Sequence, residues 1–431
     1  MTKAWSRALE LADQTPEDRN RYADFLRAAS ILVVVVGHWT MAAPWVREGE
    51  PQLGHMLDIA PWTQWLTWGL QVMPTFFVVG GFSNAISWSK TLERGGSFAA
   101  WLASRLRRLT GPVVPLLVFW AILGIAAHFG GIDPETLKVS SQIALVPTWF
   151  LSVYVVAILL VPVTWWAWQK LGMGSVALLA LSAVAVDSLA FGAGFAVLRW
   201  INYLFVWTAV HQLGYAWREG RLDGWRRPAL AVGGFVGILL LVTRGPYPVS
   251  MVGVPGQEIS NTLPPTIALL ALGIMQAGLV LCFEAPIQRW LDGRKPWAAT
   301  VLVNASIMTL YLWHSTVLVL VIALLVQLGG PGLGIEPGTA QWWLARVPWV
   351  ILLAAILFPV MGLLGRYERP GPAPAQAPPL WRPLLGALCF CLGIAFLSFS
   401  GVGDDSLLGI RTWAVALPLV GAVLAGVRSG D

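Results

Sequence analysis

The chain has 431 residues, 57% of them hydrophobic and 12% charged, with a mean hydropathy of +0.68. Soluble domains carry about 25% charged residues, so a soluble globular fold is excluded. The net charge of +6 does not point to nucleic acid, because Lys and Arg in so apolar a chain gather in cytoplasmic loops.

Residues 1–20 mix Lys3, Arg7 and Arg19 with Glu10, Glu17 and Asp18 and hold no apolar run ahead of a small-residue cleavage site. The first apolar segment is therefore expected as an uncleaved span. Twelve apolar segments follow, at 26–45, 66–88, 111–130, 147–166, 171–191, 198–217, 228–243, 264–284, 302–328, 346–365, 384–399 and 410–427. Most approach the ~20 residues that cross about 30 Å of hydrocarbon as a helix. The predicted fold class is all-α: a polytopic transmembrane helical bundle of about ten core helices plus two C-terminal helices. Alternate connections divide the basic residues unevenly, with 22 of the 28 Lys and Arg on one side, which marks that side as cytoplasmic. The expectation is a multi-pass protein of the inner (plasma) membrane with both termini in the cytoplasm. Arg47, Lys138, Arg199, Arg244, Arg346 and Arg411 fall on the opposite side, with the long connections 46–65 and 244–263.

Residues 370–383 hold six prolines in fourteen positions, a composition that favours an extended linker. The expected organisation is a cytoplasmic segment at 1–20, a membrane domain at 21–366, a Pro-rich linker at 367–383 and a transmembrane hairpin at 384–431. No inverted repeat of the kind built into many transporters is visible. Cys282, Cys389 and Cys391 lie inside apolar stretches with no paired spacing, so they read as small core hydrophobes and not as a disulfide or metal set.

Ionisable residues inside the bilayer are costly, and each is a functional candidate. His38 lies in the first segment, and Arg27 precedes it by eleven residues. Eleven residues are about three helical turns, so the two share a face some 16 Å apart. Taken alone, Arg27 reads as a snorkelling, positive-inside anchor. Arg105, Arg107 and Arg108 lie on the cytoplasmic side of the third segment, where a topology-setting cluster is the plain reading. His314 falls about 18 Å into the ninth segment, near the depth expected for His38, so the two histidines are candidates for one site. His211, His128 and Glu284 read as interfacial. Trp149 and Phe150 fit either a tunnel lining or the core. His55 and Asp58 lie in the first outer connection, where they touch an acceptor or simply solvate the loop.

Several motifs carry a family resemblance. Asp24-Phe25-Leu26-Arg27 with ten residues to His38 resembles an Asp-x-Leu-Arg start and an Arg-x10-His signature. Phe76-Phe77-Val78-Val79-Gly80-Gly81-Phe82 is similar to Phe-Phe-x-x-Ser-Gly-Phe, with Gly80 where the family has serine. Arg105-Leu106-Arg107-Arg108 before Pro112 and Pro115, Trp149-Phe150-Leu151 and Tyr311-Leu312-Trp313-His314 complete the pattern. Together they resemble the acyltransferase-3 family of integral membrane O-acyltransferases, which modify bacterial surface and secreted carbohydrates. The resemblance covers about residues 20–366. It implies no bound cofactor and no metal, acyl-CoA as a cytoplasmic co-substrate, and a carbohydrate or glycolipid acceptor, with membrane lipids as the other partners. The group moved is an acyl group, acetyl in the first instance.

The residue chemistry is consistent with that implication. Acyl transfer to an alcohol needs a base near neutral pH, which His38 supplies, with Arg27 and His314 as further catalytic candidates. Arg105 and Arg108, at i and i+3, present forked donors suited to the donor's phosphates. The alternative is a transporter or flippase for a polar or lipid-linked solute, in which the same residues relay protons or bind an anion. A carrier moves unmodified solute and needs no acyl donor, whereas an enzyme leaves an ester on its acceptor.

Overall fold

The computed structural model describes residues 3–368 and 377–427. Residues 369–376 of the Pro-rich linker, Arg428 and the C-terminal Asp431 lie outside the described residues. Among the described residues the architecture is all-α apart from one two-stranded sheet. Among the same described residues eight helices are long and apolar enough to cross a membrane, and up to ten if each of two bent pairs is one span; Thr412–Ala425 is a shorter apolar helix.

Several of the twelve expected segments are cut differently. The first ends at Met41, short of residue 45, because the ring of Pro44 would meet the carbonyl of Thr40 in a continuing helix. The fourth is broken at Leu160, between Trp149–Leu159 and Val161–Leu171, where Pro162 removes a backbone donor. Pro134–Leu145, expected as a connection, is helical and joins the next helix in one apolar stretch, Pro134–Leu159. The sixth is Asn202–Arg218; it is not apolar enough to count as a span, yet every residue from Val206 to Trp217 is buried. Protein, not lipid, surrounds it, so its polar residues find partners instead of hydrocarbon.

By internal packing the chain forms two compact units. The first comprises 1–37, 55–89 and 160–305. Its centre is the Asn202–Arg218 helix, which meets Met73–Glu93 through glycines. A methyl group at Gly81 would collide with the carbonyl of His211, and one at Gly214 with that of Val78. Such small-residue crossings let helix backbones approach closely where hydrophobic driving force is weak. Phe77 stacks on Trp207 at 4.4 Å beside the crossing. The buried carboxylate of Asp187 is paired: it accepts from Asn202 Nδ2 at 2.8 Å, Tyr247 Oη at 3.0 Å and the Ile267 amide at 2.9 Å. Burial, then the charge of Asp187, pushes the Tyr247 phenol well above its ordinary range. The N-terminal residues form an amphipathic helix, Lys3–Asp13, whose Ala8 and Ala12 pack with Leu291, Trp297 and Ala298. Arg294 closes this contact on Asp13 at 2.7 Å.

The second unit comprises 38–54, 90–159 and 306–431. Its central helix, Ile307–Gln327, is buried along Thr309–Val319. The first amides of that helix have no intrahelical partner, and the Glu368 carboxylate accepts from those of Met308 at 3.2 Å and Thr309 at 2.6 Å. Beyond Met41 the strands Ala42–Arg47 and Glu50–His55 form a hairpin. Glu48 and Gly49 at its tip have φ of 55° and 86°, the left-handed pair that a two-residue turn requires. The C-terminal helices Trp381–Ser400 and Thr412–Ala425 pack within this unit: Ser398 meets Thr148 at 2.9 Å, and Ser141 accepts from the Val402 amide at 2.9 Å. They cross each other through Gly386 and Gly421. Cys389 and Cys391 are partly buried, whereas Cys282, expected in the core, is exposed.

Candidate active site

Two of the expected residues meet. His38 Nδ1 lies 2.9 Å from His314 Nε2, and both belong to the second unit. His38 sits in the last turn of Arg21–Met41, closer to the helix end than the sequence suggested. His314 lies seven residues beyond Ile307, about 10 Å of rise, and not 18 Å, because the ninth segment is broken between Asn304 and Ile307. His314 is 0% exposed, whereas the His38 side chain is exposed.

The contacts fix the protons. The nitrogen His314 Nδ1 lies 2.6 Å from the carbonyl oxygen of Tyr311. A carbonyl has no proton to give, so Nδ1 donates, and in the neutral ring Nε2 then carries the lone pair. His38 Nδ1 faces that lone pair and must donate to it. The nitrogen of neutral His38 that carries no proton is consequently Nε2. Ser315 Oγ, 3.1 Å from His314 Nε2, is a second donor to the same lone pair. A buried histidine thus selects the tautomer of an accessible one, as an orienting partner does in hydrolytic triads.

The helices hold this pair from behind. Trp39 Nε1 donates to the carbonyl of His314 at 3.0 Å, and Trp349 Nε1 to that of Trp39 at 3.1 Å. Tyr311 Oη donates to the carbonyl of Pro147, and Trp120 Nε1 to Thr316 Oγ1 at 3.0 Å. Phe150 packs edge-on against the Tyr311 ring at 6.0 Å, so it backs the site's support.

Arg27 belongs to the first unit. Its Nη1 donates to Asp24 at 2.9 Å and its Nη2 to Ser83 Oγ at 3.0 Å, and the side chain is 29% exposed. Asp24, 6% exposed, also receives Arg19. Arg105 and Arg108 occupy the last two turns of Phe98–Thr110 in the second unit. Arg105 lies over the Trp101 ring at 5.6 Å and Arg108 is exposed, while the buried member of the cluster is Arg107.

The remaining expectations resolve as follows. His211, expected at an interface, is 1% exposed and bonds Asn84 Nδ2 at 3.1 Å, because its helix is enclosed by protein. Glu284 accepts from Trp217 at 2.9 Å and pairs with Arg227 at 2.7 Å. His128 packs against the backbone of Gly409. His55 caps the short turn after the hairpin, accepting the Leu57 amide at Nδ1 over 3.2 Å, and burial lowers its pKa despite the opposing charge of Asp58. Tyr311, Ser315, Trp39, Asp24 and Ser83 were not singled out as site residues. The signals were local: Tyr311 and Asp24 stand three residues before His314 and Arg27, the spacing at which helix neighbours touch.

A family profile described as an acyltransferase domain, the third of its name, matches residues 20–358. No curated protein and no solved structure matches the chain. With the profile covering well over half its length and multiple apolar helices around it, the chain belongs to the acyltransferase-3 family and is a multi-pass membrane acyltransferase.

Proposed function

We propose that the protein moves an acyl group, acetyl in the first instance, from acyl-CoA at the cytoplasmic face to a hydroxyl of a carbohydrate or glycolipid, in the inner (plasma) membrane with both termini cytoplasmic. The observation that carries this is the His38–His314 contact at 2.9 Å with His314 anchored on the Tyr311 carbonyl. His38 Nε2 takes the acceptor's hydroxyl proton as the oxygen attacks the thioester carbonyl. The new C–O bond forms, the C–S bond breaks, and the departing thiolate recovers the proton from the imidazolium. Acyl-CoA is a co-substrate consumed in each turnover. Arg105 and Arg108 bind its phosphates.

The test uses the full chain purified in a neutral detergent, supplied with acetyl-CoA and with glycans or glycolipids from the native envelope. Mass spectrometry reads the products. The expected result is release of free CoA with an acetyl mass gained on one acceptor and removed by mild base. Acceptor unchanged, with no CoA released under any acyl donor, would overturn the reading.

A further inference from the structure

Arg346 is 7% exposed, on the helix Ala340–Leu364 of the second unit. Its guanidinium lies between two indoles, 4.1 Å from the Trp342 ring and 5.2 Å from that of Trp349. Among the described residues no carboxylate comes within ion-pair distance, and its one hydrogen bond runs from Nη1 to the carbonyl of Ala42 at a long 3.5 Å. Its Nε is buried with no acceptor, and so is Nε1 of Trp342, a side chain 1% exposed. Two adjoining donors are thus enclosed without an acceptor, one of them on a permanent cation.

Such an arrangement is costly unless something accepts the bonds. The indoles satisfy the faces of the guanidinium through cation–π contact, but they do nothing for its edge. A ligand must therefore lie in the guanidinium plane and carry negative oxygens, the geometry of a carboxylate or phosphate on an arginine fork. Position connects this group to the histidine pair. Ala42, whose carbonyl Arg346 contacts, is the first residue beyond Met41, the end of the helix that carries His38 in its last turn. Trp349 donates to the carbonyl of Trp39, whose own indole donates to the carbonyl of His314.

We propose that Arg346 and Trp342 form an oxyanion-binding subsite that holds an acidic group of the acyl acceptor beside the end of the helix that carries His38. Its purpose rests on the acyl-transfer reading; its test does not. The acceptor is then an acidic molecule, its anionic group either a sugar carboxylate or phosphate in solution or a phospholipid headgroup in the bilayer.

Thermal unfolding of the full chain tests this without any turnover. In a neutral maltoside detergent, sodium glucuronate and inorganic phosphate are titrated against sodium chloride at matched ionic strength. In a second arm, nanodiscs of phosphatidylcholine are compared with and without phosphatidylglycerol. The wild type should be stabilised by an oxyanion, and Arg346→Met should weaken the apparent affinity about tenfold or more, the worth of one charged hydrogen bond. A response to the soluble anions assigns the group to a water-borne acceptor; a response confined to phosphatidylglycerol assigns it to lipid. Equal responses in wild type and Arg346→Met, or no response in either arm, would overturn the proposal. If Arg346→Met does not fold, Arg346→Lys, which keeps the charge without the fork, and Trp342→Phe, which keeps a ring without the N–H, carry the test. Wild-type response in both of those variants would equally overturn it.

Discussion

His211 in the first unit and His314 in the second are both enclosed, at 1% and 0% exposure, and each bonds a polar side chain on another helix. They differ in where that bond leads. The partner of His211 is Asn84, itself 0% exposed, one turn from a glycine crossing that admits no added methyl group. The partner of His314 is His38, whose ring is exposed. A sealed polar pair locks two helices together. A pair with one exposed member links the interior to a ring on the protein surface, so burial of a histidine says little until its partner's surroundings are known.

Replacing His38 gives the largest effect expected from this contrast. His38→Gln should lower the transfer rate on the order of 10² to 10⁴-fold, the typical worth of a general base, with little change in the unfolding midpoint because the ring is exposed. Near wild-type transfer in the purified variant would reduce His38 to a packing residue. His314 should matter less and in a different manner. His314→Phe fills the same volume but offers His38 no acceptor, and should cost about 10- to 100-fold, the range for partners that orient an imidazole. His314→Gln, whose amide oxygen still accepts, should recover part of that loss, and the acidic limb of the pH profile should move in the Phe variant; equal losses in both would mean a purely structural role.

The sealed pair should behave oppositely. Gly81→Ala forces the helix crossing apart and should cost about 1–3 kcal/mol, the usual penalty of overpacking, read as a lower unfolding midpoint with normal turnover per folded molecule. A midpoint unchanged from wild type would mean that the crossing yields. Smaller again is the double variant Arg105→Ala, Arg108→Ala, which should raise KM for acyl-CoA more than it lowers kcat. If donor affinity stays constant, the two arginines serve topology alone.

The smallest effect guards the interpretation of pH data. Burial depresses the pKa of His55, so the folded state resists its protonation, which would also remove the acceptor for the Leu57 amide. The unfolded chain binds the proton more readily, so this contribution is fully present above the ordinary value of 6.5 and is lost as pH falls below it toward the depressed folded value. His55→Gln should flatten the fall in stability of the wild type below that pH, while leaving the acidic limb of activity in place. If the activity limb disappears with His55, it does not report on His38.

Much of this was legible in the chain itself. Apolar length alone gave the all-α class, and the motif pairing Arg27 with His38 and the late Tyr311–His314 run pointed to the two histidines that meet. What composition does not encode is where an apolar stretch breaks. The interruptions at Leu160 and at Ala305–Ser306 come from one proline and from backbone geometry, and they moved the expected depth of His314 by several ångströms. Polarity misled in the other direction at Asn202–Arg218, where His211 suggested an interface although protein encloses the helix. The amphipathic Lys3–Asp13 helix was hidden by its charges, since its apolar face is only a few residues wide.

The two units are interleaved along the chain, which passes from one to the other at 37/38, 54/55, 89/90, 159/160 and 305/306. The histidine pair spans several of these passages, its members separated by 276 positions. During synthesis His38 emerges early and waits for most of the polypeptide before its partner exists. A ribosome stalled anywhere before residue 314 leaves a product with the exposed imidazole but nothing to choose its tautomer. The pair therefore assembles late in translation, and chains that end before residue 314 lack it.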